Sequence, residues 1–220
     1  MNKVTILISD NHPLLKSVHG CDYPSITVDP FNINTLDGVD FDETSLIIDL
    51  TCFDRNSKMD LYEHLDNVYD GPIISDLTIN WGEYLITQYE NVVGAVASAF
   101  YSPKKCFELY QKDNEYEETT FKVFKDLGYD LEIVNHVGIG FTYPRVISQI
   151  INEAFFAKEE NLATQADIDK AMCYGVNYPH GPFEWCEKIG VEKVIMLLEE
   201  LREVTGDTRY RPSRLLRMNL

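Results

Sequence analysis

The sequence predicts an α/β fold, a shortened, doubly wound and mostly parallel sheet over residues 1–139 followed by an all-helical domain over residues 140–220. Two observations carry this. Up to about residue 139, short apolar runs rich in β-branched residues alternate with helical spacing, the pattern of a sheet buried on both faces. From Arg145 onward the apolar residues recur only at the helical period.

In order, residues 4–8 (Val-Thr-Ile-Leu-Ile) read as a buried strand, and residues 25–29 as a second, stopped by Pro30. Residues 31–44 show little periodicity and read as loop. Residues 45–50 form a third strand. Met59, Tyr62 and Leu65 give residues 58–67 helical spacing. Residues 72–75, 92–96 and 131–134 are further strands, with a helix near 117–127. The acidic stretch from Asp113 to Glu118 suits a solvated helix start, where negative charge complements the macrodipole. Beyond Arg145, Ile147, Ile150, Ile151, Ala154 and Phe155 make one wide stripe. Thr164, with Asp167 three residues on, approximates a capping box. Ile168, Ala171 and Met172 form the inner face of that helix, with Gly175 as its stop. Val191, Val194, Ile195, Leu198 and Leu201 make a third stripe, ended by Gly206.

Composition narrows the function. A net charge of −17 repels phosphate backbones and anionic lipid, so neither nucleic acid nor membrane is an expected partner. No run approaches the length of a membrane span, and residues 1–8 lack the pattern of a signal peptide. The five cysteines are scattered without a C-x-x-C pair, the usage of reduced thiols in a cytoplasmic protein.

Four strings stand out in the helical region: Gly140-Phe141 with Arg145; Asp167-Ile168-Asp169-Lys170-Ala171-Met172; Tyr178-Pro179-His180-Gly181-Pro182-Phe183-Glu184; and Arg209-Tyr210-Arg211-Pro212. In that order they resemble the C-terminal domain of 3-hydroxyacyl-CoA dehydrogenases. The resemblance implies a Rossmann-like first domain that binds NAD and a helical domain that forms a homodimer and closes over an acyl chain. Each string also has a purely structural reading: a rigid turn at 178–182, and a tail locked onto the helices by residues 209–211.

The first domain departs from that pattern. The glycine-rich loop that would follow the first strand is replaced by Ser9-Asp10-Asn11-His12-Pro13, with no glycine and with a proline that removes an amide donor. Asp29 ends the second strand, where an NAD-binding fold keeps a ribose-binding acid. The region between Asp29 and Ser45 is too short for the family's coenzyme A-contacting hairpin. The family's catalytic histidine falls on Ala99, its orienting glutamate on Gln111, and a further polar position on Pro144. A three-residue slip would bring Glu108 to the glutamate's place, still facing no histidine. Of the family's N-T-S-S segment only Thr78 is kept, in Leu77-Thr78-Ile79-Asn80. Alanine moves no proton, and glutamine cannot stabilise an imidazolium by charge.

The expectation is therefore a homologue that binds no NAD and has lost hydride transfer, a homodimer through its C-terminal helices, with an acyl chain or a protein in the old cleft. The alternative is an enzyme with a relocated proton carrier, His136 or His180. No histidine shows a partner at metal-ligand spacing, so no metal is expected.

Overall fold

A computed structural model describes residues 3–220. Seven strands form one sheet: β1 (Lys3–Ile8), β2 (Ser25–Thr27), β3 (Thr44–Leu50), β4 (Ile73–Asp76), β5 (Val92–Val96), β6 (Cys106–Gln111) and β7 (Asp130–Ile133). Their order is β2-β1-β3-β4-β5-β6-β7, parallel throughout except where β6 runs antiparallel to β5. After β2 the chain crosses back over β1 to lay down β3, so the winding reverses between β1 and β3. A crevice opens at the carboxyl ends of strands at such a reversal.

Helices cover both faces. Leu7, Ile47, Ile73 and Ala95 pack on one side with α2 (Arg55–Leu65) and α3 (Gly82–Gln88). Ile6, Ile48, Ile74 and Val96 point the other way, towards α1 (Leu15–His19) and α4 (Glu117–Asp126). The period-two alternation within continuous apolar runs is what a sheet buried on both sides requires. Asp54 caps α2 by accepting the amides of Asn56 and Ser57.

Residues 31–44, expected as loop, contain a short 3-10 helix (Ile33–Leu36), and Leu36 and Phe41 from this stretch are buried against the first face. Strand β6 and the helices α1 and α3 were not anticipated. The acidic stretch does open a helix, with Glu117 and Glu118 in the first turn of α4.

The helical part comprises α5 (Tyr143–Glu159), α6 (Gln165–Gly175), α7 (Pro182–Ile189), α8 (Val191–Thr205) and α9 (Arg214–Arg217). Its core is the stripe of α5 packed on α7 and α8, with Phe155, Phe183, Trp185, Leu197 and Leu201 inside. Gly140 sits at φ +76°, and a Cβ there would come within 2.7 Å of Leu197, so the entry to α5 needs glycine. The resembling strings explain one another. Asp169 accepts the Phe183 amide at 3.0 Å, and Gly181 is so close to Asp169 that a Cβ would meet it at 2.2 Å. Asn152 bridges to the tail through the Arg211 carbonyl (3.0 Å) and the Ser213 amide (2.9 Å), while Arg145 donates to the hydroxyl of buried Tyr210.

Two details differ from expectation. The left-handed residue after α6 is Asn177 (φ 59°), not Gly175, which is the last residue of the helix itself. And α6 buries none of its residues: Ile168, Ala171 and Met172 line an open apolar groove against α5. Among the described residues nothing covers that face. The charge is also segregated. Residues 140–220 hold ten basic and twelve acidic side chains, whereas residues 1–139 hold nine and twenty-four. The acidity therefore belongs to the α/β part, residues 1–139.

Candidate functional site

The carboxyl ends of β1, β4 and β5 meet over a buried polar network that sequence reasoning did not find. Asp76 closes β4 and is 2% exposed. Its Oδ1 accepts from the Thr78 amide (2.9 Å) and the Thr78 hydroxyl (2.6 Å). Its Oδ2 accepts from the Ser98 amide (3.0 Å), the Ser98 hydroxyl (2.6 Å) and His12 Nε2 (3.2 Å). The Leu14 amide donates to His12 Nδ1 at 3.1 Å. An amide can only donate, so Nδ1 carries the lone pair and Nε2 the proton. His12 is thus a neutral imidazole. Burial pushes its pKa down, outweighing the hydrogen bond and the charge of Asp76. For Asp76 burial acts upward, but the donors around it prevail and its pKa is lowered.

This network occupies the place where the resemblance would put a phosphate cradle. The loop after β1 folds inward: Ser9 Oγ donates to Asn11 Oδ1 (2.7 Å) and accepts the Cys52 amide (2.9 Å), and the His12 side chain is buried. The signal was present as a histidine just past the first strand and an acid ending the fourth. Only the crossover of the sheet brings residues 12, 76 and 98 together.

Thr78 and Ala99 touch, but the other candidate residues do not join them. Thr78 is fully buried, its hydroxyl given to Asp76 and accepting from the Ala99 amide at 3.1 Å. Ala99 itself is 1% exposed. Gln111, on β6, reaches Thr120 Oγ1 at 3.4 Å. Pro144 is buried in the first turn of α5 and receives the Ser148 hydroxyl. His136 is exposed between β7 and α5. Asp29 is exposed, its carboxylate turned back to the Phe31 amide at 2.9 Å. Glu108, the slipped candidate, accepts the amides of Thr142 and Tyr143 at 2.9–3.1 Å and so holds the start of α5.

His180 has better company, and one expectation is corrected here. It does have a carboxylate partner: Nδ1 lies 2.8 Å from Glu184, one helical turn on. Nε2 lies 3.5 Å from the Tyr101 hydroxyl, and Lys188 sits over the Tyr101 ring at 5.2 Å. A carboxylate, an imidazole and a phenol thus line up between the sheet and the helical part. Among the described residues no group of three or more potential metal ligands occurs.

An open cavity of about 310 Å³ lies beside the network, in the crevice between β1 and β3. Its walls come from the loops after β1, β2 and β3 and from Glu192 and Met196 of α8. Asp10, Asp29, Asp54 and Glu192 are among its lining residues, and no lysine or arginine is. A dinucleotide's diphosphate needs converging amides or cations. This crevice supplies carboxylates, so the group does not fit.

Comparison with known proteins agrees with the strings read from the sequence. Residues 140–220 match the family model described as 3-hydroxyacyl-CoA dehydrogenase, C-terminal domain. The 3-hydroxyadipyl-CoA dehydrogenase of Escherichia coli is 47% identical over 73 residues, 33% of this chain and 15% of that protein. The 3-hydroxybutyryl-CoA dehydrogenase of Clostridioides difficile is 28% identical over 182 residues, covering 78% of this chain and 63% of that protein. The chain thus spans less than two thirds of either relative. In fold, the (S)-3-hydroxybutyryl-CoA dehydrogenase of Ralstonia eutropha superposes with a TM-score of 0.70 at 19% identity, over 99% of this chain and 93% of that one. Residues 140–220 thus carry the C-terminal domain of the 3-hydroxyacyl-CoA dehydrogenase family.

Proposed function

We propose that this chain is a family member that has given up NAD-dependent hydride transfer and works by binding. It pairs through the helical domain, residues 140–220, and holds an acyl chain or a protein partner where that domain meets the α/β domain, residues 1–139. One observation carries the reading. The His12–Asp76–Ser98 network fills the strand ends with groups that satisfy one another, leaving neither an amide cradle nor an uncommitted imidazole. Loss of one member of a catalytic unit already removes most of its rate, and here loop, base and orienting acid are all replaced.

The test is direct. Mixed with NADH and acetoacetyl-CoA, or with NAD and 3-hydroxybutyryl-CoA, the protein is expected to leave the nicotinamide absorbance unchanged beyond buffer. Turnover on the scale of ordinary enzymes, about 1 s⁻¹ or faster, overturns the reading. The Glu184–His180–Tyr101 alignment favours a second reading, an enzyme with a relocated proton carrier. The same assay decides between them, because such turnover would vanish in His180→Ala.

Pairing rests on α6. Leu162 is 79% exposed and Tyr174 87%, and they accompany a groove of about 690 Å³ between α5 and α6 lined by Ile150, Ala154, Ile168, Ala171 and Met172. Contiguous apolar surface of this kind is the mark of an interface, and a second copy of the same helices would cover it about a two-fold axis. Light scattering coupled to size exclusion is expected to give twice 25.3 kDa. Ala171→Glu, which places a charge in the groove, is expected to give the monomer mass. A wild-type monomer at tens of micromolar would refute the pairing.

A further inference from the structure

The crevice between β1 and β3 poses a separate question, independent of the reading above: what an unphosphorylated site there accepts. Three observations bear on it. The first is shape. The cavity is open, about 310 Å³, and bounded on the α8 side by Met196, so an occupant would touch both the sheet loops and the helical part. The second is an aromatic ring. Phe31, on the loop after β2, lines this cavity and is 96% exposed. A bare phenylalanine forgoes the stabilisation that covering its ring would return, and this one stands beside an apolar floor of Val28 and Phe53. The loop holds it there, since Asp29 accepts the Phe31 amide and Asn32 donates its own to the Asp29 carbonyl at 3.0 Å.

The third is charge. Asp54 is committed to capping α2, and Asp29 to the Phe31 amide. Asp10 and Glu192 are exposed and, among the described residues, have neither an ion-pair nor a hydrogen-bond partner for their carboxylates. Lys193, next to Glu192, donates to the Ile189 carbonyl at 3.4 Å and does not line the cavity, although its charge is felt at Cys52 in the wall. A ring face and uncommitted carboxylates around one cavity favour a ligand with a positive charge on an apolar or flat body, through cation–π contact and ion pairing.

We propose that this crevice, which in sign is the reverse of a dinucleotide site, binds an organic cation: a protonated amine on an apolar, planar body, its ring against Phe31 and its ammonium between Asp10 and Glu192.

The experiment uses the full chain and two probes that share a ring and differ in charge, tryptamine and indole-3-propionate, with NADH as a third. Calorimetry at low ionic strength is expected to show saturable tryptamine binding and none for the two anions. Raising salt to 0.5 M is expected to weaken tryptamine severalfold. Phe31→Ala and the double variant Asp10→Asn/Glu192→Gln change exposed side chains, so the fold should survive, and each is expected to weaken tryptamine at least threefold. Amide shifts at Cys52 and Met196 should report the binding. The proposal fails if tryptamine does not bind, if either anion binds as tightly, or if both variants bind tryptamine as the parent does.

Discussion

Replacing Asp76 by alanine is expected to cost about 3–5 kcal/mol of folding stability, the range for stripping one partner from a buried charged network. For a chain of this length that lowers the melting temperature by roughly 6–20 °C. The cause is local. Five donors lose their acceptor at once: two amides, two hydroxyls and the His12 Nε2–H, all from buried residues. Denaturant unfolding followed by circular dichroism measures it, and a loss below about 1 kcal/mol would show that the network is ornamental. The same network sets an acid limb. His12 has its pKa lowered from 6.5 by burial, so near and below that value the unfolded chain binds more protons than the folded one. Stability therefore rises with pH there: the contribution is complete above the unfolded histidine's pKa and fades as pH falls through the lower, folded one. Asp76, lowered from 3.8, repeats the behaviour in more acid solution. In His12→Gln the first of these two slopes should flatten.

The second large effect lies one strand away. Lys58 of α2 and Asp49 of β3 are both fully buried, with Nζ 2.5 Å from Oδ2. Ser75 joins them, donating to Asp49 at 2.6 Å and receiving from Tyr62 at 2.6 Å. Lys58→Met leaves a carboxylate without its counter-charge in the interior and is expected to lose about 3–5 kcal/mol. A buried pair replaced as a whole by apolar residues is often neutral, so adding Asp49→Leu should recover much of that loss. Thr51 tempers the rescue, because its amide and hydroxyl also rely on Asp49. A double variant no more stable than Lys58→Met would mean that the cost lies in packing rather than in charge.

Neither cluster could be read from the sequence, and the reason is geometric. Lys58 and Asp49 look like ordinary surface residues of a helix and a strand end. Only the register that sets Asp49 beside Ser75 brings them under α2. The buried strands were legible because runs such as Ile47-Ile48 and Ile73-Ile74 have no other use. Strand β6 was not. Phe107 and Leu109 alternate with half-buried Cys106, Glu108 and Tyr110, a faint period over six residues. The three stripes of the helical part were visible, and so was its kinship, because its strings fix turns and tail. What α6 packs against was not visible: amphipathic spacing says that a face is covered, not by whom. The absence of a glycine loop and of a histidine at position 99 was plain from the letters. That His12 had moved into the vacated ground was not.

Glu108 anchors the helical part to the sheet. Its two carboxylate oxygens grip the first amides of a helix that then runs on for 17 residues. At 1.5 Å per residue that is a lever of about 25 Å. The antiparallel seam of the sheet is therefore tied to the start of the helical part through the Glu108 carboxylate.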